Sequence, residues 1–225
     1  MKLTERATTY FNRLKRNNEF YLDRETTIKY FNQQSFPLNE TLVQIQTNFS
    51  GYKLTLTNDC RHGFLLRLFS KTDVKNNNEI EVYHFDETYV IDFGGHDTAP
   101  FHYYITNLGE LCTLGHNESD TPNIVCSSIE KFIEQYALQD ELALQIKSPY
   151  YDILNNQELS IILDRNFSKI EECTDKYSQW FTDGQLTIDK GTWLDRPEYY
   201  LHVYGQNKEK SDKFLDYLKQ NKIID

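Results

Sequence analysis

Between residues 52 and 116 the chain is written largely in a period of two, and this limits its fold more than any other feature. Tyr52-Lys53-Leu54-Thr55-Leu56-Thr57 and Glu79-Ile80-Glu81-Val82-Tyr83 alternate polar and apolar residues. That pattern puts every apolar side chain of a run on one face, as a half-buried strand requires. Phe64-Leu65-Leu66-Arg67-Leu68-Phe69 and Thr88-Tyr89-Val90-Ile91-Asp92-Phe93 are denser apolar runs, the second ending on Gly94-Gly95. Phe101 to Thr106, the turn Asn107-Leu108-Gly109-Glu110 and the return Leu111 to His116 read as a hairpin, with Gly109 available for positive φ. Asp73 to Asn78 reads as a turn or loop tip. The expectation is a mostly antiparallel sheet.

Helical spacing surrounds this middle. Residues 4–32 carry two short helices broken near Asn17-Asn18, with Thr26-Thr27 placed to cap the second. Leu42, Val43, Ile45 and Phe49 form the stripe of another helix, which Gly51 stops. Ser127 and Glu130 make a Ser-x-x-Glu capping box ahead of Ile129, Phe132, Ile133 and Tyr136, and Ser148-Pro149 ends that helix at the latest. In the tail, Asn156 to Ile170 fits a helix or an extended connector. Gln185 to Ile188 and Tyr199 to Tyr204 read as strands, and Ser211-Asp212 caps a last helix with Phe214, Leu215 and Leu218 inward. The chain is therefore expected to be α+β. Residues 1–147 form a core domain of mostly antiparallel sheet flanked by helices. Residues 148–225 form a strand-pair-plus-helix extension, packed on the core or completing it.

With 225 residues, 39% of them apolar and 14% aromatic, the chain can bury a core without staples. No apolar run approaches the 18 or so residues that cross a bilayer, and Met1-Lys2-Leu3-Thr4-Glu5-Arg6 lacks a secretory h-region, so no membrane partner and a cytoplasmic location are expected. Cys60, Cys112, Cys126 and Cys173 include no Cys-x-x-Cys pair and read as reduced thiols.

The net charge of −10 argues against a nucleic-acid partner, which needs clustered Lys and Arg. It is also unevenly placed. Residues 1–78 carry 12 basic and 7 acidic residues, residues 147–225 carry 11 and 14, and residues 79–146 carry 13 acids against the single Lys131. Tyr83, Phe85, Tyr89, Phe93, Phe101, Tyr103 and Tyr104 lie among those acids. Aromatic anchors with an acidic field suit an interface for a basic partner; solvated acids over an aromatic core are the ordinary alternative. The partner-binding candidates are Glu79, Glu81, Asp86, Glu87, Asp97, Glu110, Glu118 and Asp120, and Gly94, Gly95 and Gly109 are the structural loop glycines.

The order of elements resembles the SMI1/KNR4 (SUKH) superfamily over residues 20–145. The resemblance rests on Phe93-Gly94-Gly95-His96-Asp97-Thr98-Ala99-Pro100-Phe101-His102-Tyr103-Tyr104-Ile105, on the hairpin turn at 107–110, and on the helix opening Ser128-Ile129-Glu130-Lys131-Phe132-Ile133. Upstream, Phe36-Pro37 with Phe49-Ser50-Gly51 is similar to the entry into that family's first strand. His96-Asp97 departs from the family pattern, which has an acidic residue and further glycines there. The resemblance implies a non-catalytic protein-binding domain. Its bacterial form would be an immunity protein that neutralises a basic toxin domain of nuclease or deaminase type. The alternative is a regulatory or scaffold protein not linked to a toxin.

Catalytic and cofactor readings are weak. Of the histidines at 84, 96, 102 and 116, His84, His96 and His102 lie near Asp86, Asp92 and Asp97 but follow no metal-ligand spacing. Gly94-Gly95 precedes an aromatic strand where a phosphate cradle would need a helix. Asp86-Glu87, Asp140-Glu141 and Glu171-Glu172 are adjacent acids, not carboxyls facing across a sugar. No catalytic residue, cofactor or metal is expected, and oligomeric state stays open.

Overall fold

A computed structural model describes residues 2–86, 88–99, 102–114, 121–194, 196 and 198–225. The chain divides into two compact units, Met1–Asp140 and Glu141–Asp225. The first contains α1 (Glu5–Asn12), α2 (Arg24–Gln33), α3 (Glu40–Asn48), β1 (Lys53–Leu56), β2 (Asp59–Leu65), α4 (Lys71–Asn76), β3 (Val82–Phe85), β4 (Thr88–Asp92), β5 (Gly95–His96), β6 (Tyr103–Thr106), β7 (Leu111–Thr113), β8 (Asn123–Cys126) and α5 (Ile129–Glu141). The second contains β9 (Ile146–Lys147), β10 (Tyr151–Asp152), α6 (Asn156–Asn166), β11 (Ser168–Lys169), β12 (Gln179–Thr182), β13 (Leu186–Thr192), β14 (Tyr199–Gly205) and α7 (Lys208–Gln220). No described helix is long and apolar enough to cross a membrane.

The fold is α+β, with antiparallel sheets flanked by helices. In the first unit β1-β2-β5 form one sheet and β3-β4-β6-β7-β8 another. Both are antiparallel throughout their described pairings. Alternation in β4 and β6 sends Ile91 and Ile105 to one face as direct cross-strand partners, both fully buried. Gly94 links the sheets. Its φ is +52°, and a side chain there would collide with the Leu65 carbonyl, so no other residue fits. Gly109 turns the β6–β7 hairpin at φ +86°. Gly95 needs neither positive φ nor close approach; it is simply a residue of β5.

Side-chain hydrogen bonds tie the helices to this frame. The Thr4 amide and hydroxyl donate to Glu134 on α5 at 2.6 and 2.8 Å. The buried Gln46 amide is fully used: it donates to the Phe20 and Phe69 carbonyls and accepts from the Phe69 amide and the Ser50 hydroxyl. Such a satisfied polar group costs little to bury and specifies one packing.

Several local expectations move. Asp73 to Asn78 is not a loop tip: Ser70 and Asp73 close a capping box on α4, and Asn77 ends it in the left-handed region. The cap of α2 is Asp23, with Thr26 inside the helix. At the start of α5 the Ser128 hydroxyl accepts from the Lys131 amide. Asn207 caps α7, so Ser211 lies within it. The run 64–69 leaves the sheet at Leu66, while β2 reaches back through Cys60.

The tail is more than a strand pair and a helix. Its strands form a sheet of order β10-β14-β13-β12-β11, with β9 also on β14. Because Ile146 and Lys147 pair with β14, residues placed at the end of the core domain belong to this second sheet. Leu159, Leu163, Leu215 and Leu218 from α6 and α7 pack on Phe181, Ile188, Leu201 and Val203 as a separate core.

Candidate interaction surface

Of the thirteen acids in the block, Glu79, Glu81, Asp86, Asp92 and Glu110 lie at the five-stranded sheet and Glu130, Glu134, Asp140 and Glu141 on α5, and the sheet's register decides which of the first group can act together. Thr88 follows the β3–β4 turn, whereas Asp92 ends β4 at the opposite end of the sheet, roughly 14 Å away. The Asn107 amide donates to the Tyr89 carbonyl, which brings the β6–β7 turn beside the β3–β4 turn. Asp86 and Glu110 therefore lie at one end of the sheet, and Glu79, Glu81 and Asp92 at the other. Asp97 belongs to the three-stranded sheet. Its carboxylate pairs with Lys53 Nζ at 2.6 Å, which holds it below the usual range.

The predicted acids thus form no single face. Glu79, Glu81 and Asp86 are exposed, and none has an ion pair among the described residues. The Glu81 carboxylate accepts from the Tyr83 hydroxyl at 2.6 Å. Glu110 is half-buried; its backbone amide donates to the Thr106 hydroxyl and its carbonyl accepts from the Thr106 amide. Asp97 is committed to its lysine. Glu87, Glu118 and Asp120 lie outside the described residues, as do Phe101 and His116. Among the aromatics, Phe93 and Tyr103 are core, while Tyr83, Phe85, Tyr89 and Tyr104 are half-buried.

Glu79, Ile80 and Glu81 line a groove of about 190 Å³ with Asp73, Asp92 and Arg67. Burial raises the Asp92 carboxyl above its ordinary value, against Arg67 3.4 Å away. Burial also pushes Asp73 up, but donation from Ser70 and Asn78 outweighs it and holds the acid low. Four acids therefore share one groove with a single arginine. Asp92 went unmarked as a binding residue because it terminates an apolar strand run and reads as part of it.

The other chemical candidates separate. Cys112, Cys126 and Cys173 are buried, and burial pushes the Cys112 thiol up to about 12. Cys60 is exposed on β2. His96 Nδ1 is occupied locally by Thr98. No described group of three His, Cys, Asp or Glu residues could hold a metal.

The second unit holds a polar feature that no motif announced. On the sheet face opposite α6 and α7, Asp189 of β13 lies directly across from His202 of β14, both buried. The Asp189 carboxyl accepts from the Tyr200 hydroxyl at 3.2 Å and from the Ser178 hydroxyl at 3.5 Å, while the Trp180 indole donates to Ser178 at 3.1 Å. Burial drives Asp189 up to about 7 and His202 down to about 4. His202 Nδ1 has no partner among the described residues.

No family model, no curated protein and no solved structure matches the chain.

Proposed function

We propose that the protein is a non-catalytic binding module of SUKH-like type, an immunity protein that neutralises a basic toxin domain of nuclease or deaminase class. Binding would cover the toxin's substrate-binding face, which is basic when the substrate is a nucleic acid. The observation that carries this reading is the set of exposed acids without ion pairs among the described residues, Glu79, Glu81 and Asp86, placed around one strand hairpin. Unpaired acids speed encounter with a basic protein, and half-buried aromatics such as Tyr83 and Tyr89 supply contact area. Glu110 contributes from the neighbouring turn; Asp97 does not, because its charge is already met by Lys53.

The test is calorimetric titration with a basic nuclease or deaminase domain encoded beside the gene. The triple variant E79K/E81K/D86K should bind at least about tenfold more weakly, with a flatter salt dependence. Unchanged affinity and salt slope would overturn the acidic-surface reading.

A further inference from the structure

β3 stands at the end of its sheet, with β4 as its only described neighbour. Two residues separate Phe85 from Thr88, and the Tyr89 carbonyl is engaged by Asn107, on the side away from β3. His84 and Tyr89 are therefore a pair without mutual hydrogen bonds. By the same alternation Val82 and Ile91 are such a pair, while Tyr83 bonds inward to Val90. The amide and carbonyl groups of Val82 and His84 consequently point outward from the sheet edge.

Beside that edge runs a cavity of about 510 Å³. Ile80, Val82 and His84 line one wall at every second residue, and the end of α2 with Ser35-Phe36-Pro37 lines the other. The spacing of every second residue matches the side-chain repeat of an extended chain.

Exposed edges are ordinarily blunted by Lys, Pro or shortness. Three edges here follow that practice: β1 begins with Lys53, β8 follows Pro122, and β11 is two residues long and includes Lys169. Residues 79–88 contain no Lys, Arg or Pro. Glu79 and Glu81 precede the strand and Asp86 follows it, all exposed and without ion pairs among the described residues. Like charges would meet if two copies paired through this edge, so a second copy of the chain is the wrong occupant. Opposite charges would meet if the incoming strand were basic.

We infer that β3 is a strand-addition site: an extended, basic segment of a protein partner pairs with Val82 and His84, places side chains in the cavity, and sets its cations against Glu79, Glu81 and Asp86. This rests on the reading of the acidic segment as a partner-binding surface, and adds to it a mode of recognition.

The experiment uses the full chain and a peptide of alternating lysine and valine, about eight residues long. A glutamate–valine peptide of equal length is the control. Amide exchange is followed by nuclear magnetic resonance. With saturating basic peptide, exchange at Val82 and His84 should slow about tenfold or more, while Tyr83, already bonded to β4, should not change. Val82→Pro, which removes one outward donor at an edge where proline is tolerated, should weaken binding about tenfold. The wild-type exchange data stand whether or not that variant folds. Binding that is lost in E79K/E81K but never slows exchange at Val82 and His84 would overturn strand addition and leave the acidic-surface reading standing. Equal protection by both peptides would overturn the charge requirement. No binding of the basic peptide at millimolar concentration would also overturn strand addition; the toxin-domain titration then decides the broader reading separately.

Discussion

Asp189 and His202 face each other across β13 and β14 and titrate in opposite senses. Between about pH 4 and 7 the unfolded chain has released the Asp189 proton while the folded chain holds it. Stability contributed at Asp189 is therefore present at low pH and lost as pH rises through 7. His202 behaves inversely. Between about 4 and 6.5 the unfolded chain binds a proton that the buried ring refuses, so its contribution grows with pH. Over that window the two slopes oppose, each at most about 1.4 kcal/mol per pH unit. Asp189→Asn keeps the shape and removes one slope. Urea unfolding of that variant should show stability rising from pH 4 to 6.5 more steeply than in the wild type, and no loss between 6.5 and 8. Parallel curves for the two proteins would show that the carboxyl is not held neutral. Gly94 offers a second test at this scale. Gly94→Ala forces a side chain into the Leu65 carbonyl at φ +52° and should cost about 2–4 kcal/mol in the same assay, whereas Gly95→Ala, with only Tyr103 at 3.9 Å, should cost under about 1 kcal/mol.

At the scale of elements, α4 delivers the chain to the acidic edge. Its first-turn amides are met by the reciprocal pair Ser70–Asp73 and by Glu19: the Ser70 hydroxyl accepts from the Asp73 amide, the Asp73 carboxylate accepts from the Ser70 amide at 2.8 Å, and the Glu19 carboxylate accepts from the Thr72 amide. Ser70→Ala should destabilise by about 1 kcal/mol and speed amide exchange through Lys71–Asn76, read by hydrogen exchange. No change in either would mean that tertiary contacts, not the cap, hold the turn. This helix also explains what the sequence conceals. With six residues and Val74 as its one aliphatic side chain, it is too short to show a 3.6-residue period, so it reads as a loop. Elements with a long one-sided pattern were legible: α3, β4, the β6–β7 hairpin, β13 and β14 all fall where periodicity puts them. β12 escaped because Gln179-Trp180-Phe181-Thr182 has two adjacent aromatics, one on each face of the sheet, and so no alternation. The caps of α2 and α7 slipped toward the N-terminus because Ser, Thr, Asp and Asn are all competent, and only three-dimensional context chooses among them. For the site, charge in sequence located the block but not the geometry. Register, which no single segment encodes, split Asp86 and Glu110 from Glu81 and Asp92 and sent Asp97 to Lys53.

For the whole molecule, the net charge of −10 gathers in one block whose acids the fold then divides, and a basic partner would feel both the total field and the local edge. The two contributions are separable because they depend differently on position. Reversing Glu79, Glu81 and Asp86 changes the net charge by as much as reversing Asp164, Asp212 and Asp216, exposed acids of the second unit. If only total charge steers association, the two triple variants should lose the same fraction of the on-rate for a basic toxin domain, and the loss should vanish in high salt as the Debye length falls to about 3 Å at 1 M. If the β3 edge is the contact, E79K/E81K/D86K should also dissociate faster, by about tenfold or more, because close charge pairs persist where distant ones are screened. D164K/D212K/D216K should leave the dissociation rate within about twofold of wild type. Stopped-flow association and surface-plasmon dissociation at two salt concentrations distinguish these outcomes. Equal dissociation rates for both variants would leave the acidic block only a long-range steering charge and remove the β3 edge from the interface.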